Sequence, residues 1–170
     1  MSYLKLGNLT SIIAGLLILA LLVQLGLYTI SFAFTPLGLL QMTVIWILSI
    51  PAFYFYHKAE LKKKYLMDYL APIAIVITFA GLILAFYHEF LGLELILLGY
   101  TFEPLAGISI FLAVKKFLIS SNLFFWGAVI YTVGLPFYIF NISEIAVIGD
   151  AIKLVGLFML AVKMKGEKVV

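Results

Sequence analysis

The chain lacks cysteine and arginine altogether, and charge of either sign is scarce: 11 lysines and 8 carboxylates make up 11% of its 170 residues. Without cysteine there are no disulfides, no cysteine-held iron–sulfur clusters and no thiol chemistry, and nothing indicates the redox compartment. Neither an HExxH zinc signature nor a GxSxG nucleophile elbow occurs. Long polar stretches are also missing, so no soluble domain fits between the apolar runs. Neither a cofactor, a metal nor a nucleic acid is expected.

Hydrocarbon fills the chain instead. A soluble domain is about half apolar and a quarter charged. This one is 65% hydrophobic, with a mean hydropathy of +1.22, which places it among integral membrane proteins. A membrane-crossing helix takes about 20 mostly apolar residues, so the length accommodates about six. Reading the apolar runs against their breaks predicts an all-α, polytopic helical bundle. It forms a single transmembrane domain over 1–170, with spans near 9–34, 37–56, 66–87, 91–114, 119–140 and 143–163. The first run is too long for the apolar region of a cleaved signal peptide.

Lysine placement orients these spans. Lys5 precedes the first. Lys58, Lys62, Lys63 and Lys64 fill the second connection, Lys115 and Lys116 the fourth, and Lys163, Lys165 and Lys168 follow the last. With six alternating spans all ten fall on one side, and the positive-inside rule makes that side, with both termini, cytoplasmic in the cell membrane. The same lysines should attract anionic lipid headgroups, the bilayer being the first expected partner. Tyr54, Phe55, Tyr56 and Tyr65 mark the inner interface, and Phe86, Tyr87, Phe90, Tyr138 and Phe140 the outer one. Trp46 falls near the centre of its span, where helix packing explains it better than an interfacial belt. His57 and His88 fall on opposite faces, which excludes a haem held by both.

The stretch 99–107, GYTFEPLAG, carries a carboxylate beside a proline inside an apolar run. Glu103 lies about 18 Å along its helix from either end, at the bilayer midplane. Lys153 in the last span lies at nearly the same depth, and Asp150 about one turn nearer the outer face. Charges at this depth face protein or water. Gly92, Gly99, Ala106 and Ala113 form a stripe of small residues on span four, with Glu103 about 40° from Gly99. On span six Ala146, Gly149 and Gly156 form a similar face that includes Lys153. Small-residue faces are where membrane helices approach closely. An ion pair between Glu103 and Lys153, shared with Asp150 three residues before the lysine, follows as an expectation. Such a pair can serve register alone or mark a proton or cation pathway.

Other polar groups admit both a functional and a plainer role. Glu89, Glu94 and Glu144 lie toward the outer side with His88 and could form an acidic vestibule that concentrates cations. Exclusion of lysine from outer loops explains the same residues. The IGDA (148–151) and MDYL (67–70) stretches resemble part of the GxGD and YD pair of intramembrane aspartyl proteases. The first glycine is missing, however, and Asp68 lies near the inner face while Asp150 lies in the outer half, so the two cannot share a proton. VIWILSIP (44–51) matches VIYTVGLP (129–136) at an offset of half the chain, which admits an inverted 3+3 repeat. The composition makes chance matches easy, and the other spans do not align. Prolines 51, 72, 104 and 136 fall one in each of spans two to five, in keeping with kinked helices.

The sequence thus predicts a small, non-enzymatic, multi-pass membrane protein. Its short loops, lack of cofactor ligands and close-packing faces favour an accessory or structural subunit of a larger membrane assembly, with other membrane subunits or further copies of itself as partners. The alternative is a small proton- or cation-coupled transporter centred on Glu103, Asp150 and Lys153.

Overall fold

The computed structural model describes residues 2–164; Lys165 and Lys168, part of the expected lysine face, lie outside them. Six long helices form: α1 (Tyr3–Tyr28), α2 (Pro36–Lys58), α3 (Lys64–Phe86), α4 (Phe90–Ala113), α5 (Leu118–Gly134) and α6 (Glu144–Lys163). Short 3-10 helices, Ile30–Phe34 and Leu135–Phe140, follow α1 and α5, and no strand occurs among the described residues. All six spans are long and apolar enough to cross a membrane. A chain that turns its large apolar side chains outward, as Leu27, Tyr69, Val76 and Val162 do here, is suited to lipid.

The boundaries differ from the expectation at both ends of the first helix and at the end of the fifth. The first helix begins at Tyr3 rather than near residue 9, because Asn8 is not a flanking polar residue. It is fully buried, and its side-chain oxygen accepts a 2.8 Å hydrogen bond from the Tyr56 hydroxyl. The same helix stops at Tyr28, where Thr29 takes a positive φ of 67°, and the run to Phe34 continues as the 3-10 segment. Pro51, Pro72 and Pro104 sit inside α2, α3 and α4. Pro136 does not: it lies at the start of the 3-10 segment where α5 ends. The two motifs that suggested a duplication therefore differ in conformation at their prolines, and the repeat is unconfirmed.

Each helix packs against its neighbours in sequence, and α1 packs against α6, so the six close into a ring. The most extensive seams are α3 with α4 and α5 with α6. Glycine makes both. A Cβ on Gly92 would strike the backbone of Gly81 and Ala85, and one on Gly99 would strike Thr78. On the other seam, Gly127 lies against the backbone of Lys153, Gly149 against Tyr131, Gly156 against Phe124 and Gly134 against Ala146. With lipid outside and hydrocarbon inside, such close approach supplies the dispersion contact that holds membrane helices together. The small faces of α4 and α6 are thus spent on α3 and α5, and not on each other.

Contacts at the helix ends separate two faces. At one, the Ser109 hydroxyl donates to the Lys63 carbonyl at 2.8 Å, and Asn8 lies 4.0 Å from the Met164 sulfur. Lys5, the lysines of the α2–α3 connection, Lys115, Lys116 and Lys163 share this end. At the other, Phe34 meets His88 with ring centroids 5.8 Å apart, and Gly26 lies against Ser143. Trp46 joins α2 to α3, stacking on Phe79 at 4.6 Å and donating its indole N–H to the Ile75 carbonyl at 3.0 Å, which is the packing role expected of it.

The glycine seams give a direct prediction. Gly127→Ala, which forces α5 off α6, should cost about 1–3 kcal/mol. Gly107→Ala, whose Cβ would meet only the Phe124 ring at 3.6 Å, should lie within about 1 kcal/mol of the parent and gain from helix propensity. Reversible unfolding in mixed micelles measures both, and equal costs would refute the seam.

Candidate functional site

The polar centre forms where the sequence placed it. Lys153 on α6 donates to the Glu103 carboxylate on α4 at 3.1 Å. It also lies 2.7 Å from Asp150 one turn earlier on its own helix. Asp150 is wholly buried and Lys153 is 3% exposed, whereas 36% of the Glu103 side chain remains accessible. The two carboxylates therefore differ: Asp150 is sealed behind the lysine, and Glu103 faces open space.

Helix α5 explains how α4 and α6 exchange a charge contact without packing together. It stands between them, and Gly127 lets it approach the Lys153 backbone directly. The lysine side chain then reaches past α5 toward α4. On the way its ammonium passes over the Tyr131 ring, 4.4 Å from the centroid, and Tyr131 in turn meets Tyr100 of α4 edge-on at 5.7 Å. An ammonium over a tyrosine face is attracted by the ring quadrupole, more strongly when desolvated. Two carboxylates and one aromatic face thus surround a single cation, so the acids outnumber the ammonium by one.

Inside the ring lies a partly open chamber of about 290 Å³. Every helix contributes to its wall: Ser11 from α1, Trp46 from α2, Thr78 from α3, Glu103 from α4, Tyr131 from α5 and Lys153 from α6. It reaches from Tyr56 toward the lysine end to Tyr138 toward the opposite end. Both tyrosines are tied down. Tyr56 donates to Asn8 at 2.8 Å and lies 3.1 Å from the Ser11 hydroxyl, and Tyr138 donates to the Leu22 carbonyl at 2.8 Å. Most of the wall is hydrocarbon and aromatic carbon; the Glu103–Lys153 pair is its charged part. Asp150 is outside the lining.

The remaining expected site residues stay apart from this centre. Glu89, Glu94 and Glu144 are all exposed, toward the end opposite the lysines, and among the described residues no group of three His, Asp or Glu side chains gathers closely enough to hold a metal ion. Asp68 pairs with His57 at 2.9 Å, far along the chain from Asp150, so the protease-like pair does not form. The sequence reading missed Tyr131, Tyr100 and the Asn8–Tyr56–Ser11 network. The spacing of Asn8 and Ser11, one turn apart on a largely apolar helix, was the available signal. Nothing in the sequence distinguished Tyr131 from the other aromatics.

The geometry ranks the members of the cluster. Lys153→Met strips the buried Asp150 of its cation and should destabilise by about 3–5 kcal/mol. Glu103→Gln leaves Lys153 paired with Asp150 and should cost clearly less, and Asp150→Asn combined with Lys153→Met should recover part of the loss. Unfolding of the four proteins in mixed micelles tests the order; a harmless Lys153→Met would show that the pair carries no stability. Searches of family models, curated proteins and solved structures match this chain to nothing.

Proposed function

We propose that this chain is a non-enzymatic multi-pass protein of the cell membrane that binds a small guest in the chamber between its helices, as a small transporter does. The lysine end and both termini lie in the cytoplasm, because a connection rich in lysine is retained on that side. Anionic headgroups are the natural partners of the same lysines. The observation that carries the reading is the chamber itself: a space walled by all six helices, with Glu103 half-open to it. Pockets of this kind, mostly apolar with a few convergent polar groups, are the usual form of small-molecule sites.

The chamber favours this reading over that of an accessory subunit. The subunit reading drew on close-packing faces left for partners, and those faces are occupied within the chain by α3 and α5. Short loops remain in its favour. A pathway for bare ions is supported less well than a site for a guest, since the wall is chiefly hydrocarbon and offers few groups to replace an ion's hydration.

The absence of native cysteine makes the test clean. Ser49→Cys, in the chamber wall, should react with a small thiol reagent in proteoliposomes faster than Val76→Cys, which faces outward, and a reagent confined to the cytoplasmic side should reach a cysteine at Lys62. Equal rates at Ser49 and Val76 would refute an accessible chamber. Quantitative comigration of the natively expressed protein with a larger assembly, together with an unreactive chamber, would restore the subunit reading.

A further inference from the structure

We infer that the guest is a lipophilic monocation: an apolar body of modest size carrying one ammonium-type head. This rests on the chamber reading above and goes on to name the chemistry of its occupant. Three observations converge on it.

The first is charge. Glu103 and Asp150 offer two carboxylates to the single ammonium of Lys153, so with both acids ionised the centre carries one negative charge in excess. One guest cation brings the centre to neutrality. A guest carboxylate would add a third negative charge around one lysine, in surroundings of low dielectric where like charges repel strongly.

The second is access. The Glu103–Lys153 contact is made by one carboxylate oxygen, Oε1, and the side chain is 36% exposed in the chamber wall. The second oxygen is thereby left to accept from a guest head. Asp150 is sealed behind the lysine and Lys153 is nearly buried, so neither meets the guest first.

The third is the wall. Trp46, Tyr56, Tyr100, Phe102, Phe124 and Tyr131 all contribute to it. Aromatic side chains in a wall that also carries a carboxylate suit organic cations, through quadrupole attraction for the head and burial of the apolar body. A neutral alcohol gains the burial but not the charge contact.

Trp46 supplies the readout. It lines the chamber, and the second tryptophan, Trp126, is 56% exposed on the outer surface. In a Trp126→Phe background, Trp46 reports contact with a brominated tail by fluorescence quenching. Three probes with the same bromo-octyl tail and different heads are titrated into the protein in nanodiscs: the ammonium, the alcohol and the carboxylate. Lipid partitioning is measured separately and each curve corrected for it. The ammonium should quench at a concentration about tenfold to a hundredfold lower than the alcohol, with the carboxylate weakest. Glu103→Gln should bring the ammonium to the level of the alcohol while leaving the alcohol unchanged, and Glu103→Asp should restore part of the preference. The series on the parent protein stands even if a Glu103 variant fails to fold. If all three heads quench alike, the chamber is occupied but the cation assignment is wrong. Preference for the carboxylate overturns it as well. If none quenches beyond its partitioning, the chamber takes no such guest, and the proposed function falls with the inference.

Discussion

The contact on which the centre of this protein depends is the sharing of one lysine between two carboxylates in hydrocarbon surroundings. None of the three charges is tolerable alone at that depth. Asp150 is held by a cation on its own helix, one turn away, and that local pair needs no tertiary structure. Glu103 has no such neighbour on α4, so its charge is compensated only when α6 is in place across the intervening α5. The long-range half of the cluster therefore selects the arrangement of helices, while the short-range half makes α6 tolerable in the membrane as a unit. Tyr131 takes part in both, as the floor under the ammonium and as a residue whose backbone touches Gly149.

Glycine and charge act together here. The α5–α6 seam brings backbones into contact, and that closeness sets how far the Lys153 side chain projects toward α4. A wider seam would draw the ammonium back from Glu103. The α3–α4 seam fixes the other partner in the same way, through Gly92 and Gly99 against Gly81 and Thr78. What remains between these two tight hairpins, with α1 and α2 completing the circle, is the space that the side chains do not fill.

Hydropathy made much of this legible in the sequence. It separates lipid-facing runs from water-facing breaks, and all six helices emerged from it, with the lysines gathered at one end. The depth of Glu103 and Lys153 followed from helix rise alone, and the pair forms. What the sequence did not disclose was which helix lies against which. A stripe of small residues announces close contact without naming the partner, so the faces on α4 and α6 gave no sign that α3 and α5 would occupy them. The chamber is invisible for a related reason: a void is a property of the whole ring and leaves no trace in any one helix. At Asn8, a polar residue near a helix end looked like a flank because its partner, Tyr56, is distant in sequence. At Pro136, a proline that the hydropathy pattern placed inside a span instead ends the α-helix, since the run of apolar residues continues regardless of the backbone conformation.

Closure of the ring by its first and last helices, Gly15 against Leu154 and Asn8 beside Met164, bears on how the protein is made. During synthesis Glu103 leaves the ribosome 50 residues ahead of the lysine that its carboxylate requires (153 − 103), and α1 waits longer still for α6. Until the sixth helix arrives Glu103 has no ammonium partner, and its carboxyl is accommodated only by hydration or a proton. Pairing of Glu103 is thus coupled to completion of the sixth helix, and a product truncated before Lys153 would leave that acid without its cation.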